Sequence, residues 1–262
     1  MTEAVLGPAP RRATPFAPYH KWDRNFFLFL VLAIWVGVVM GFGGDIQNHI
    51  RSNEAAYPWI VHVHAVTFVS WLALLTTQVL LIRTKRPQLH YRLGAAMIWL
   101  ALFMVIVGPA TAVVMQRAAF GTKDSDPGFL AIQLGDIIGF AGLVTAAYLT
   151  RGTSSAHKRL MLLSTLFISD AGFARWLSPD IAAALWHGSW PMLGFWPFLV
   201  STYLPNDLLI LSLGAYDLIT RKRLYPAYVW AVGAVAALQL TIAYLYTMAP
   251  FWKATATWLI GF

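Results

Sequence analysis

Cysteine is absent from this chain, and charged residues are scarce at 11%. Without cysteine there is no disulfide scaffold, thiolate metal site, iron–sulfur cluster or covalently attached c-type haem. A soluble globular domain is about one quarter charged, whereas these 262 residues are 58% hydrophobic and have a mean hydropathy of +0.61. This composition also excludes a disordered chain. The sequence therefore predicts an all-α polytopic membrane protein.

Several sequence motifs of enzymes and receptors are also missing. The chain has no Walker motif, no glycine-rich dinucleotide turn, no Gly-x-Ser-x-Gly elbow and no His-Glu-x-x-His zinc motif. Its last apolar run has no lysine for a retinal Schiff base and no histidine cluster typical of a seven-helix zinc hydrolase. Nothing in these patterns requires an enzyme.

Long apolar runs define the predicted architecture. A membrane helix needs about 20 mostly apolar residues to cross roughly 30 Å of hydrocarbon. Seven runs meet this requirement, covering residues 25–43, 58–82, 91–115, 129–150, 158–178, 196–219 and 225–249. We therefore predict a flexible cytoplasmic tail at 1–24, a seven-helix transmembrane domain at 25–250 and an interfacial outer tail at 251–262.

Lysine and arginine set the predicted orientation, because short cytoplasmic loops are enriched in both. One set of connections carries fourteen of the nineteen basic residues, and the other set carries five. The N-terminus is therefore expected on the cytoplasmic side of a bacterial inner membrane, and the C-terminus outside. This topology also explains the net charge of +8 without a nucleic-acid partner. The lipid bilayer is the partner that these charges indicate.

Tryptophans are concentrated at the expected outer boundary of the membrane. Residues 179–195 are predicted to form a short helix lying in this interface. Interfacial tryptophan commonly anchors a protein to lipid, but the same surface could bind a second membrane protein. The tryptophans concerned are Trp59, Trp176, Trp186, Trp190, Trp196, Trp252 and Trp258.

Ionisable side chains within the spans are candidate functional groups, because burying them unpaired is costly. Four stand out: Asp136, Asp170, Arg175 and Asp207. One interpretation is a structural ion pair between Arg175 and Asp170 or Asp207. The other is a site for a proton, metal or small ligand, because one guanidinium cannot balance three carboxylates. We expect Arg175 to point inward and pair across helices with Asp207 or Asp136, or to hold a haem propionate.

Pro205 precedes Asn206 and Asp207 within an otherwise continuous span. Proline removes a backbone donor and frees a carbonyl one turn earlier in the helix. A polar pocket is therefore expected beside this position.

Two histidines begin the second span and are candidate metal ligands. Because His62 and His64 are about 200° apart around a helix, regular helix cannot turn both inward. His64 shares a stripe with Trp71 and Gln78 and is the better inward candidate. An irregular first turn would bring both imidazoles to one metal. The candidate ligands for a divalent metal are His62, His64, Asp136, Asp170 and Asp207.

His90 and His157 each begin a span beside basic residues. One interpretation places both rings in the interface beside lipid headgroups. The other makes them axial ligands of a b-type haem, since neutral imidazole commonly binds haem iron. Arg175 follows His157 by eighteen residues, and on a continuous helix the two would share a face. We therefore predict His90, His157 and Arg175 as cofactor-binding residues.

Three short motifs carry a resemblance to known membrane proteins. They are Leu89-His90-Tyr91-Arg92-Leu93-Gly94, His157-Lys158-Arg159-Leu160-Met161 and Pro205-Asn206-Asp207. With the basic loop before His90 and the intramembrane Arg175, they resemble a family of uncharacterised bacterial multi-pass membrane proteins, known as a domain of unknown function. The second motif is also similar to one in small membrane proteins implicated in cytochrome oxidase assembly.

The order of histidines on spans 2, 3 and 5 is more distantly similar to the helical core of cytochrome b561, which holds two haems between alternate helices. This resemblance implies that His90 and His157 are the ligands from spans 3 and 5, with His62 or His64 as the ligand from span 2. Span 4 departs from the pattern because it contains no histidine. A second haem with two histidine ligands is therefore not expected.

Three functions from different classes remain open at this point. The first is a haem-binding, redox-linked membrane protein. The second is a binding or transport protein for a proton or small ligand, with its site in the outer half of the bundle. The third is a non-catalytic assembly factor or accessory subunit of a respiratory-type membrane complex.

Overall fold

The structure is a computed structural model that describes residues 16–52, 56–186 and 194–262. Within these ranges the chain forms nine α-helices, one turn of 3-10 helix at Pro127–Phe129, and no β-strand. The helices are α1 (Asp23–Arg51), α2 (Trp59–Arg83), α3 (Pro87–Ala119), α4 (Leu130–Leu149), α5 (Ser154–Ile168), α6 (Asp170–Trp186), α7 (Phe195–Arg221), α8 (Pro226–Thr247) and α9 (Pro250–Leu259). The all-α prediction is confirmed.

Six helices in the described part of the chain are long and apolar enough to cross a membrane. They are α1, α2, α3, α4 with its 3-10 turn, α7 and α8. The pair α5 and α6 meets the same criteria together, and it is bent by 51° at the break between the two helices. Counting this pair as one span gives seven spans. The prediction of a continuous helix over 158–178 is wrong.

The fifth span breaks at Ser169 because polar side chains there bind the backbone. The Ser169 hydroxyl donates to the carbonyl of Leu166 at 2.8 Å, and the Asn206 amide of α7 donates to the same carbonyl. Asp170 Oδ1 accepts the N–H of Ala171 at 2.6 Å, next to the start of α6. Such contacts let a membrane helix break without leaving its freed backbone groups unpaired.

Helix α7 continues through Pro205. Because Pro205 has no N–H, the carbonyl of Ser201 lacks its usual partner within the helix. The Ser178 hydroxyl of α6 donates to this carbonyl at 2.7 Å. The freed carbonyl expected from the sequence therefore fastens α7 to α6.

The helices pack into one bundle with an apolar exterior. Helix α4 packs against α3, α5 and α8, α1 packs against α2 and α6, and α7 packs against α6 and α8. Leu30 and Phe140 are completely buried in the core. On the outside, Trp99, Ile106 and Trp230 are 74%, 68% and 80% exposed. An apolar exterior of this kind suits contact with lipid tails.

Helices α1 and α6 come into close contact at two glycines. A Cβ atom added to Gly41 would clash with the carbonyl oxygen of Gly172, whereas one added to Gly43 would meet open space. Small residues that allow such approach are typical of interfaces between membrane helices. This contact fixes α6, the second half of the broken span, against α1.

Both predicted tails contact the bundle in the part that the structure describes. Phe16 packs edge-on against Tyr225, with ring centroids 4.8 Å apart. At the other end of the chain, Trp252 of α9 donates from Nε1 to the carbonyl of Gly128 at 2.8 Å. Residues 1–15 lie outside the described ranges.

The tryptophan-rich surface is partly described. Residues 179–186 continue α6, and the rest of the predicted interfacial helix, residues 187–193, lies outside the described ranges. Trp59, Trp196 and Trp258 are 74%, 64% and 72% exposed. Exposed tryptophan at helix ends is typical of a membrane–water interface.

Candidate functional site

A cavity of about 380 Å³ lies at what we call the basic end of the bundle, where α1, α3, α5 and α8 begin and most lysines and arginines are found. Helices α1 to α5 all contribute to its walls. Its volume falls within the range of roughly 300–1,000 Å³ common for small-molecule sites. The deeper walls are apolar and include Trp71, Leu75, Met97, Val144, Met161 and Leu162.

His90 and His157 both line this cavity. His90 lies in the first turn of α3 and His157 in the first turn of α5. Their ring centroids are 6.2 Å apart, and the ring planes are nearly perpendicular at 83°. The two histidines that the sequence singled out as a pair therefore face one shared space.

The two histidines differ in their hydrogen bonding. His157 Nδ1 lies 2.9 Å from the carbonyl of Ala147. Because a carbonyl only accepts, Nδ1 carries the proton, and Nε2 of the neutral ring keeps a free lone pair. His90 Nδ1 is buried and has no hydrogen-bond partner among the described residues. Two imidazoles lining one cavity are a candidate site for a metal or a hydrogen-bonding ligand.

Gln78 and Gly94 add to the indication that the cavity holds a ligand. The Gln78 side chain is buried, and neither its amide oxygen nor its amide nitrogen finds a partner in the described part of the chain. Leaving a buried amide unpaired is unfavourable by about 1–3 kcal/mol for each lost partner. Gly94, one turn after His90, lines the cavity, and a Cβ added there would come within 3.5 Å of Gln78 Nε2.

Cationic side chains surround the cavity at the basic end. Arg24, Arg83 and Lys158 line it, and Asp23 is the single carboxylate among its lining residues. Arg83 Nη1 donates to the carbonyl of Arg24 at 2.9 Å and to Asn25 Oδ1 at 2.7 Å, which joins α2 to α1. This excess of positive charge favours a ligand with an anionic group.

Beside the cavity, Asp23 is the centre of an ion-pair network. Its carboxylate accepts hydrogen bonds from Tyr216 Oη at 2.6 Å, from Lys158 Nζ at 2.7 Å and from Arg221 Nη2 at 2.8 and 2.9 Å. These contacts fasten α1 to α5 and α7. Asp23 is therefore fully engaged in holding the helices together.

A second, completely buried ion pair joins α5 to α7. Arg159 and Asp217 form a bidentate pair in which both side chains are 0% exposed, with Nε to Oδ2 at 2.7 Å. Arg159 Nη1 also donates to the carbonyl of Ser155 at 2.8 Å. This network was not predicted from the sequence, because the basic residues were attributed to membrane orientation alone. The available signal was Asp23 and Asp217 themselves, which are two of the few acidic residues expected at that end.

The other half of the bundle, which we call the opposite half, holds the remaining predicted polar residues. Asp136 of α4 and Asp170 of α6 are 9% and 2% exposed, and the two carboxyl groups lie close enough to interact electrostatically. Asp207 accepts a hydrogen bond from Gln239 Nε2 at 2.9 Å. The structure therefore brings two of the three carboxylates near each other and gives the third an amide partner.

The two histidines of α2 have different surroundings. His62 is exposed, whereas His64 is half-buried and stacks on Phe68 with ring centroids 4.0 Å apart. The expectation that His64 is the more inward of the two is confirmed. Among the described residues, no three His, Asp or Glu side chains form a group that could hold a metal ion. The divalent-metal role of His62, His64, Asp136, Asp170 and Asp207 stays a prediction.

Arg175 differs from its prediction. It pairs across helices, but with Asp45 of α1, at 3.3 Å from Nε to Oδ2, and not with Asp136 or Asp207. Its side chain is 38% exposed and does not line the cavity of His90 and His157. The reason is the break at Ser169. Because α5 and α6 are bent by 51° relative to each other, His157 and Arg175 do not lie on one face of a continuous helix.

Comparison with known proteins leaves the family undetermined. No family model, no curated protein and no solved structure matches the chain. The resemblance of the short motifs to multi-pass membrane proteins stays a prediction. The function must therefore be inferred from the residues and their geometry.

Proposed function

We propose that the protein is a membrane-embedded b-type haem protein, with His90 and His157 as the two axial ligands. The observation that carries this proposal is the pair of imidazoles, 6.2 Å apart, in one cavity within the bundle. Neutral imidazole is a usual ligand of haem iron. When bound, haem would supply one-electron redox chemistry, and electron transfer is the activity that we assign.

The chemistry of the cavity supports an amphipathic ligand of this type. Trp71, Leu75 and Met97 offer apolar walls to a macrocycle. Arg24 and Arg83, which have no carboxylate partner among the described residues, offer positive charge to carboxylates such as haem propionates. Gly94 lacks a side chain on the cavity face of α3, which leaves that face open to a flat ring. The residues present therefore fit the group.

The neighbouring residues would orient the ligands. The carbonyl of Ala147 holds the proton of His157 on Nδ1, so Nε2 is the nitrogen available to iron. For His90, Nδ1 is the nitrogen without a partner among the described residues. With the orientation expected from the loop charges, the haem would lie toward the cytoplasm, and a cytoplasmic redox partner would have the shortest path to it.

Haem content of the purified protein tests the proposal. After expression with haem supply, the wild-type protein in detergent is expected to show a Soret band and stoichiometric haem. His90→Ala and His157→Ala should each lose most of the haem, since each removes one axial ligand. His62→Ala is the matched control, because His62 is an exposed histidine outside the cavity.

Two results would contradict the proposal. The first is a wild-type protein that carries no haem although it is folded and monodisperse. The second is retention of wild-type haem content in both His90→Ala and His157→Ala. A circular dichroism spectrum with unchanged helix content shows that a variant without haem is still folded.

A further inference from the structure

The segment before α1, residues 16–22, lies across the basic end of the bundle, and we call it the strap. Two of its backbone carbonyls are bound by cations of other helices. The carbonyl of Ala17 accepts a hydrogen bond from Arg221 Nε of α7 at 2.9 Å, and the carbonyl of Pro18 accepts one from Lys158 Nζ of α5 at 2.9 Å. The strap is therefore attached to both helices.

Phe16 anchors the first end of the strap. The guanidinium Cζ atoms of Arg159, Arg221 and Arg223 lie 4.9, 5.4 and 5.4 Å from the centre of its ring. Tyr225 meets the same ring edge-on, with centroids 4.8 Å apart. A cation close to an aromatic ring is attracted by the quadrupole of that ring. Phe16 therefore fastens the strap at the cationic ends of α5 and α7.

The middle of the strap forms part of the cavity wall. Tyr19 lines the cavity together with His90, His157 and Lys158. Lys158 is also the residue that binds the carbonyl of Pro18. Tyr19 is 57% exposed, so its ring lies between the cavity and the water. The strap therefore crosses the mouth of the cavity.

The strap is stiff, and it is joined to α1 by a short turn. Pro18 fixes its own φ angle and disfavours helical backbone at Ala17, which keeps this part extended. At the other end, the N–H of His20 donates to Asp23 Oδ2 at 3.1 Å, in the first residue of α1. Movement of the strap would therefore pivot near residues 20–22.

The bundle does not need the strap to keep its charges paired. Lys158 and Arg221 both donate to the carboxylate of Asp23, at 2.7 and 2.9 Å, and these bonds remain if the strap leaves. The two bonds to the strap carbonyls are exposed, so water can replace the donors. Release of the strap therefore breaks no ion pair between helices.

We propose that the strap is a gate over the cavity. Closed, as in this structure, it separates the occupant of the cavity from water, and open, it lets that occupant enter or leave. The occupant is the haem of the proposed function, and the gate rests on that proposal for the identity of the occupant alone. The gate regulates exchange and supplies no ligand to the iron.

Thiol labelling of the haem-free protein in detergent tests the gate. Because the chain has no cysteine, Met97→Cys places a single reporter thiol on the buried wall of the cavity. A charged, water-soluble thiol reagent avoids the apolar interior of the micelle and enters through the mouth. Phe16→Ala in this background should raise the labelling rate roughly 3- to 30-fold, the factor expected for the loss of cation–π contacts.

Trp230→Ala in the same background is the matched control. Trp230 is an aromatic residue near the start of α8, is 80% exposed and does not line the cavity. This control should label at the parent rate, and equal rates in Phe16→Ala and Trp230→Ala overturn the gate.

A second reporter, Ala243→Cys, separates opening of the gate from general loosening. Ala243 is completely buried and lies outside the cavity wall. Phe16→Ala should leave the labelling rate of this reporter unchanged. An equal acceleration at both reporters shows that the whole bundle has loosened, and it overturns the gate.

Haem transfer to an acceptor protein separates the gate from the proposed function. With native Met97, Phe16→Ala should release haem faster than Trp230→Ala, and its haem content at saturating supply should equal that of wild type. A wild-type protein without haem contradicts the haem proposal, and the labelling rates still decide whether the gate exists. Normal haem content with labelling that does not respond to Phe16→Ala overturns the gate alone.

Discussion

The two polar regions of the bundle differ in how their charges are balanced. At the basic end, Asp23 and Asp217 each accept hydrogen bonds from more than one cationic side chain, so the negative charge of each carboxylate is balanced. In the opposite half, Asp136 and Asp170 are buried, and one carboxylate oxygen of each has no partner among the described residues. Buried charges that are fully paired hold helices together, whereas buried polar atoms without partners indicate a missing ligand, water or proton.

The same distinction applies within the basic end. Arg159 and Asp217 satisfy each other, whereas His90 Nδ1 and the Gln78 amide have no partner in the described part of the chain. The network is therefore a structural element beside the cavity that His90 and Gln78 line. Variants at the two kinds of position should affect different properties of the protein.

The largest effect is expected from breaking the buried ion pair. Arg159→Met leaves Asp217 buried with only the more distant Arg221, at 3.5 Å. Removing one partner of a buried pair typically lowers the free energy of unfolding by about 3–5 kcal/mol. Thermal unfolding in detergent measures this loss. The double variant Arg159→Met with Asp217→Leu should recover part of it, and a double variant as unstable as the sum of both single variants would contradict a structural pair.

Removing a cation from the cavity is expected to weaken ligand retention. In Arg83→Ala, one charged donor is lost, and such hydrogen bonds contribute about 1.5–3 kcal/mol. Haem transfer to an acceptor protein should be faster in this variant. Lys85→Ala is the control, because Lys85 is an exposed loop residue outside the cavity. Equal rates of haem transfer from the two variants would show that Arg83 does not help to hold the haem.

A smaller effect is expected at Trp71, which connects the two regions. Its ring lines the cavity, and its Nε1 donates to Thr165 Oγ1 at 3.0 Å, one turn before the helix break. Trp71→Phe should lower the free energy of unfolding by about 1 kcal/mol, the usual value for one hydrogen bond. Trp99→Phe, on the exposed exterior, should leave thermal unfolding unchanged. A stability loss equal in both variants would argue against this bond.

The smallest effect is expected at Arg175. Its ion pair with Asp45 is half exposed, with side-chain exposures of 38% and 55%. Exposed ion pairs contribute about 0–1 kcal/mol. Arg175→Leu should therefore unfold within a few degrees of wild type, in contrast to Arg159→Met. A loss as large as that of Arg159→Met would show that Arg175 holds buried charge after all.

The sequence predicts the membrane spans well because apolar length is a local property. Six spans appear as single helices, and His90 and His157 lie together as their shared pattern suggested. The break at Ser169 was missed because neither glycine nor proline marks it. Its cause is a contact with Asn206, thirty-seven residues away in the chain. Arg159 and Asp217 are separated by 58 residues, and hydropathy contains no information about which distant charges will pair.

Arg175 is a second case in which the sequence alone did not predict the contact that the structure shows. The sequence shows that Arg175 lies in an apolar run. The direction of its side chain depends on the bend between α5 and α6, whereas the prediction assumed one continuous helix. Asp136 and Asp170 were recognised as buried carboxylates because they lie within apolar runs, and both are buried in the structure. How close they lie to each other could not be predicted, because it depends on where α6 starts.

A density map of the purified full-length protein, at a resolution that shows cofactors, tests the central claim most directly. The account predicts planar density in the cavity, contacted by His90 and His157, with its anionic groups toward Arg24 and Arg83. A cavity filled only by lipid chains or water would contradict it.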